Sequence, residues 1–306
     1  MTYHVAVVGL GRIGWLADRD PVRPKPASHV SAWQLCPRAN LVAVCDVDET
    51  KLEEACPKLA GDGFLGGWVR ADDLPPGLDI VSIATPPETH REIVEACAAK
   101  ARLIICEKPL AGTSKDAEAM VEACRASGTI LLVNHGRRFH PGLAHAVAAL
   151  PDRLGPLLTA TVHYNRPLWD GGGSHAADFA LWALGPAQKI NHLIVWHATG
   201  SHSAFCAYNI AEYVIFQADV LGERGWAQFD LTVPSVRWHG ARPGYALADG
   251  HRHLMPTGQE AWPPTTFLGE MAAHAVAVLD GKAVPLCTGE DGLAAVRVLE
   301  ALESSS

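Results

Sequence analysis

The stretch that decides the fold is His4-Val5-Ala6-Val7-Val8 running into Gly9-Leu10-Gly11-Arg12-Ile13-Gly14. A short β-branched run leads straight into G-x-G-x-x-G, and strand–helix repetition follows. In that context the motif predicts a dinucleotide-binding turn. Gly9 permits the tight turn, Gly11 lets the backbone approach a pyrophosphate, and Gly14 permits close helix–strand packing. The helix opening at Arg12 and Ile13 would offer unpaired N–H groups and a partial positive charge to phosphate. Gly9, Gly11, Arg12, Ile13 and Gly14 are therefore candidate cofactor residues.

The next apolar run, Leu41–Cys45, ends in Asp46. A carboxylate there can accept from the adenosine ribose hydroxyls and repel a 2′-phosphate, which favours NAD over NADP. Asp46 lies 32 residues beyond Gly14, against the usual ~20. The excess falls in Asp18–Ser28, with prolines at 21, 24 and 26. It is expected to be a loop inserted after the first helix, on the crevice side.

Further strands are expected at Asp79–Ala84, Leu103–Cys106 and Thr129–Val133, with helices at Glu49–Cys56, Glu88–Lys100 and Ser114–Ser127. Pro57 is expected to end the first of these helices. The alternation predicts a Rossmann-type doubly wound parallel sheet over residues 1–134. Beyond it the runs Leu157–Tyr164, Ile190–His197, Ala204–Tyr208, Tyr213–Val220 and Trp226–Leu231 follow one another with few helices. Residues 135–306 are thus expected to form an α+β domain with a largely antiparallel sheet. Residues 240–265, rich in Gly, Pro and His, read as loops.

Of 306 residues, 48% are apolar and 19% charged, and the net charge is −8. An acidic chain argues against a nucleic-acid binder. No run approaches the ~20 apolar residues of a membrane span. The first strand is expected to begin almost at Met1, and no signal peptide is expected. The eight cysteines are scattered without a C-x-x-C pair. They read as reduced core residues of a cytoplasmic protein. His192, His197 and His202 are five apart, and His251 and His253 read as a solvated loop or a substrate contact. No metal site is expected.

Two more strand ends carry polar groups: Thr85-Pro86-Pro87-Glu88-Thr89-His90 and Glu107-Lys108-Pro109. Carboxyl ends of strands define the ligand crevice of an open α/β sheet. A partly desolvated Lys108 there would have a lowered pKa and could exchange a proton near neutrality. Trp169 could stack on a sugar ring or pack in the core.

Taken in order, Gly9–Gly14, Asp46, Ala84-Thr85-Pro86, His90 and Glu107-Lys108-Pro109-Leu110 resemble the Gfo/Idh/MocA oxidoreductases. Arg137-Arg138-Phe139-His140-Pro141 is similar to that family's Arg-Phe-x-Pro segment. Gly173-Ser174-His175-Ala176-Ala177-Asp178 is similar to its His-x-x-Asp helix, and Gly289–Gly292 with Ala301–Ser304 to its closing helix. The resemblance implies hydride transfer between NAD and a sugar carbinol, with Lys108 as catalytic acid/base and His175 as a second such group. It implies that Glu107 and Thr85 line the ribose and nicotinamide end, and that Pro86 and His90 belong to the cofactor site. Pro109 would follow a cis bond. Arg138 and Asp178 would lie on the substrate side, and the second sheet would mediate a homodimer or homotetramer.

Many members carry an Asp four residues before the histidine; here that position is Gly171, so a Lys–Asp–His relay would be incomplete or Asp170 would substitute from a shifted position. The short Gly-Ser-His form resembles a subgroup associated with surface and secondary-metabolite sugars, which brings nucleotide sugars among the expected substrates. A redox-neutral enzyme with tightly held NAD and a non-catalytic NAD sensor are the alternatives.

Overall fold

The computed structural model describes all residues except 1, 62, 166–167, 170–171, 192–193, 211, 242–243, 245–249 and 305–306. Asp170, Gly171 and His192 lie outside the described residues. The chain packs as two units, Met1–Phe139 with Thr265–Val296, and His140–Pro264 with Arg297–Ser306. The expected split at 134/135 is thus modified: a late segment returns to the first unit.

In the first unit, β1 (Tyr3–Val8), β2 (Ala39–Cys45), β3 (Gly66–Trp68), β4 (Ile80–Ile83), β5 (Leu103–Cys106) and β6 (Ile130–Val133) form one sheet in the order β3-β2-β1-β4-β5-β6. Every pairing in it is parallel. This is the Rossmann order, with its switch point between β1 and β4. β5 is wholly buried, and so is β4, including Ser82. Strands covered by helices on both faces need continuous apolar runs, which these sequences supply. The helix Ser114–Ser127 is capped by Thr113 and ends on Gly128 at φ +70°. The helix Glu49–Leu59 runs past Pro57, which falls in its last turn.

The insertion is placed differently from expectation. Trp15 N–H bonds Gly11 O at 3.0 Å, closing one helical turn, and the chain then leaves through a 3-10 turn, Leu16–Arg19. It returns at Ser28, where His29 N–H bonds Ile13 O at 2.9 Å and Val30 N–H bonds Gly14 O at 3.0 Å. The first helix is therefore interrupted after one turn and resumes as His29–Leu35, with Ser28 and Ser31 forming a capping box. Removing the twelve-residue excursion Leu16–Ala27 puts Asp46 twenty residues beyond Gly14, the usual spacing of about 20. Asp18 holds the excursion closed by accepting from Ala27 N–H at 3.0 Å and Ser31 Oγ at 2.9 Å, and from Ser28 Oγ.

The late segment closes the first unit. Asp280 pairs with Arg38, Tyr3 donates to Asp280 at 2.7 Å, and Thr266 donates to Pro26 O. Gly289 and Gly292 leave no space for a side chain against Leu131 and Val133.

The second unit holds β7 (Leu157–Asn165), β8 (Ala187–Asn191), β9 (Ile194–His197), β10 (His202–Tyr208), β11 (Phe216–Gly222), β12 (Gly225–Asp230), β13 (Ser235–Ala241) and β14 (Leu254–Ala261). Their order is β14-β13-β12-β11-β7-β10-β9-β8, antiparallel except between β7 and β10. The run expected as one strand over 190–197 is divided between β8 and β9. Part of the expected loop over 240–265 is β14, an exposed edge strand that tolerates Pro256 because its outer N–H groups need no partner. The helix Gly172–Leu184 packs on β7, and Phe179 meets Phe229 with ring centroids 5.3 Å apart. No described helix is long and apolar enough to cross a membrane.

Candidate functional site

The three motif glycines are needed for three different reasons. Gly9 has φ +95°, and a Cβ on it would meet Ala84 O at 2.7 Å. On Gly14 a Cβ would lie 1.9 Å from Gly9 O, so no side chain fits. On Gly11 it would meet nothing within 4 Å. Gly11 thus presents bare backbone to open space at the carboxyl end of β1, the feature that close approach of a pyrophosphate requires. Arg12 is exposed and Ile13 half-buried on the same turn.

Beside this turn is a cavity of about 520 Å³ lined by Gly9, Gly11, Asp46, Lys51, Thr85 and Pro86, among others. Its donor set and open backbone fit the adenosine half of a dinucleotide. Asp46 is buried; Oδ2 accepts from Leu10 N–H at 2.7 Å and Oδ1 from Asp48 N–H at 2.9 Å. Lys51 Nζ lies 3.3 Å from Oδ1. Asp46 therefore braces the glycine turn as well as lining the cavity, and Lys51 is a charge partner that the sequence reading missed.

Thr85 accepts a hydrogen bond from Thr89 Oγ1 at 2.9 Å. His90 is fully buried, its ring nitrogens 2.9 Å from Thr85 O and 3.0 Å from Leu110 O. It ties the loop after β4 to the loop after Lys108 and offers no face to a ligand. This is a bracing role.

Glu107 is the centre of a buried network. Its Oε1 accepts from His29 Nε2 at 2.9 Å and Asn134 Nδ2 at 2.5 Å, and its Oε2 from Lys108 N–H at 3.3 Å. His29 Nδ1 faces Ser82 Oγ at 2.7 Å. Burial pushes the Glu107 carboxyl up, but the His29 hydrogen bond, the attraction of His29 and Lys108, and the Asn134 hydrogen bond outweigh it and hold the group below the usual glutamate range. Lys108 is half-buried, joined to Pro109 by a cis bond, and its ammonium makes no hydrogen bond or ion pair among the described residues.

Arg138 is buried in the first unit, where it donates to Leu286 O at 3.1 Å and pairs with Asp291 at 3.2 Å. This gives it a structural task that its motif did not reveal. In the second unit His175 is half-buried on the helix Gly172–Leu184, its ring 6.2 Å from that of Phe216. Asp178 is buried one turn on, at a spacing that shares a helix face. Trp169 lies half-buried in the preceding turn.

A Rossmann sheet in this strand order, with bare backbone after β1 and a carboxylate after β2, defines a dinucleotide-binding protein. Residues 3–135 match the Gfo/Idh/MocA family, the oxidoreductase family with an NAD-binding Rossmann fold. Inositol 2-dehydrogenase 1 of Saccharopolyspora erythraea is 33% identical over 91% of this chain and 80% of its own length. The chain belongs to this oxidoreductase family. D-apiose dehydrogenase of Paraburkholderia graminis is 35% identical over 41% of this chain, and the match spans only 33% of that relative's length. A levoglucosan dehydrogenase solved in complex with NADH shares the fold, with a TM-score of 0.79 and 19% identity over 100% of this chain and 97% of that one.

Proposed function

We propose that the chain catalyses NAD-dependent hydride transfer at a carbinol carbon of a sugar, polyol or nucleotide sugar. The observation that carries this reading is the row of groups at the carboxyl ends of β1, β2, β4 and β5: bare Gly11, Asp46, Thr85, then Glu107 with Lys108. Bound NAD would supply the hydride acceptor. In the oxidative direction the Lys108 amine takes the hydroxyl proton while hydride leaves the carbinol carbon, so that a carbonyl forms; reduction runs the same transfers backwards. His175, Asp178 and Trp169 are read as substrate-orienting groups.

The open face of the second sheet exposes Ile194, Trp196, Tyr208 and Leu221, and we read it as the surface of a homodimer or homotetramer. Eight free cysteines suit a reducing cytoplasm.

Incubated with NAD and a panel of inositols, pentoses and nucleotide sugars, the protein is expected to form reduced nicotinamide with at least one. Product formed with no net change in bound NAD would replace this reading by a redox-neutral reaction. Asp46→Ala is expected to weaken NAD binding about 10- to 100-fold, since hydrogen bonds to a charged acceptor are worth about 1.5–3 kcal/mol. It should also narrow the preference over NADP, because Lys51 then faces a 2′-phosphate without a competing carboxylate. Titration of both proteins with both dinucleotides measures this, and tighter binding of NADP by the unaltered protein would refute the role given to Asp46.

A further inference from the structure

His29 is fully buried and takes no direct part in hydride or proton transfer. It nevertheless joins the glycine turn to the segment that carries Lys108. Its backbone N–H donates to Ile13 O at 2.9 Å, so it resumes the interrupted helix where the fourth residue after Ile13 would stand in an unbroken one. Its ring lies between Ser82 Oγ, 2.7 Å from Nδ1, and Glu107 Oε1, 2.9 Å from Nε2. The donors around Glu107 are unequally shared. Oε1 accepts from His29 and from Asn134, which uses both its lone pairs, and Oε2 accepts from the Lys108 N–H at 3.3 Å. An ionised carboxylate only accepts, so His29 Nε2 carries the hydrogen, and in the neutral ring Nδ1 accepts from the Ser82 hydroxyl.

The polar side chains of Ser82, His29, Glu107 and Asn134 are thus enclosed near the carboxyl ends of β4, β5 and β6. Apolar residues of similar volume would stabilise the sheet as well or better, because the cost of burying a charge is offset only by excellent geometry. What the polar set supplies is direction. The Glu107 carboxylate cannot rotate without losing a donor at Oε1, and the group held by its other oxygen is the backbone of Lys108. A reacting side chain has to be held within about 0.5 Å of its productive position by neighbours that are themselves locked. We propose that His29 is a positioning residue for the reaction: by fixing the rotation of the Glu107 carboxylate it fixes the path of the chain at Lys108, and with it the approach of the Lys108 amine to the substrate hydroxyl. This inference rests on the reading of Lys108 as the acid/base group.

The test uses the intact protein and the sugar of the panel that it oxidises. His29→Leu removes both ring contacts and keeps the bond to Ile13, which the backbone makes. Its single-turnover rate is expected to fall ~10–100-fold, the scale of a displacement of about 1 Å at the reacting groups. NAD and ADP-ribose should bind within about threefold of their affinity for the unaltered protein, because the loss falls on the transition state. The solvent deuterium isotope effect on the rate should rise, since the misplaced proton transfer becomes limiting; a protein that is merely less stable would leave it unchanged. His29→Gln should recover most of the rate, because an amide, like the imidazole, sets a donor and an acceptor on one carbon. Should His29→Leu not fold, His29→Asn takes its place with the same expected loss, its shorter amide meeting Ser82 but not Glu107. A rate within about twofold of normal in the variant that loses Glu107, or a loss that His29→Gln shares in full with no change in isotope effect, overturns the proposal. So does a histidine 15N spectrum of the unaltered protein with hydrogen on Nδ1 of His29 and none on Nε2. If no sugar is oxidised, or if Lys108→Ala turns over normally, the proposed function itself fails and takes this inference with it. An inactive Lys108→Ala beside an unimpaired His29→Leu overturns this inference alone.

Discussion

Lys108→Ala is expected to lose ~10²–10⁴-fold in turnover, the usual contribution of a positioned acid/base, while NAD binding stays within about twofold. Lys108 stands at the end of a rigid, fully buried strand, and its ammonium has no hydrogen-bond or ion-pair partner among the described residues. It is therefore available for proton exchange. The contacts assigned to NAD binding, at Gly11 and Asp46, lie on other strands and survive the substitution. Lys108→Arg keeps the charge but cannot release a proton near neutrality, so it should be nearly as inactive. His175→Ala should lose less, since its half-buried ring has an orienting task. Single-turnover rates and pH–rate profiles for the three variants measure this. Near-normal turnover in Lys108→Ala would sink the mechanism, and a larger loss in His175→Ala would move the base to the histidine.

The parallel sheet was legible because strands covered on both faces must be apolar throughout, and Leu103–Cys106 or Ile80–Ile83 have no other plausible place. The interruption of the first helix was visible only as an anomalous spacing. A loop is recognised by its prolines, but nothing local to Leu16–Ala27 reports that the hydrogen bonds of Ile13 and Gly14 are completed by His29 and Val30. The edge strand β14 was hidden for a related reason. Exposed on both faces, it lacks the alternation that marks a half-buried strand, and Pro256 argues against a strand anywhere except an edge. The return of Thr265–Val296 to the first unit depends on long-range pairs such as Arg38 with Asp280, which leave no trace in local periodicity.

The site was readable where the strand-end rule was applied and unread where it was not. Thr85 and Glu107-Lys108 stand out because they follow apolar runs; Asn134 follows Val133 in the same way and was passed over. Ser82 carried a second signal, a lone hydroxyl inside Ile80-Val81-Ser82-Ile83. A buried polar group needs a partner, and that partner is His29, 53 positions away along the chain. Glu107 was read as lining the ribose and nicotinamide end of the cofactor site, and its carboxylate also accepts from His29 and Asn134. Residue type and strand position placed it in the crevice, but only the packing reveals which way it points.

Those contacts give the second large expected effect. Glu107→Gln keeps the shape of the side chain and removes its charge. One end of the amide can still accept from His29 and Asn134, but the other then presents N–H groups to the Lys108 N–H, where Oε2 had accepted. The loss of hydrogen bonding to a charged acceptor, with a donor set against a donor, is expected to cost about 2–3 kcal/mol of stability at neutral pH. The pH dependence separates this from a packing defect. The Glu107 carboxyl is held below its ordinary value in the folded protein, burial being outweighed by His29, Lys108 and Asn134. Its contribution is therefore fully present above the unfolded value of about 4.3. It is lost as pH falls through the lower folded value. Denaturation midpoints of the two proteins should thus differ most at neutral pH and converge in acid. A gap that stays constant down to the acid limit would mean that the charge of Glu107 does not hold this network together.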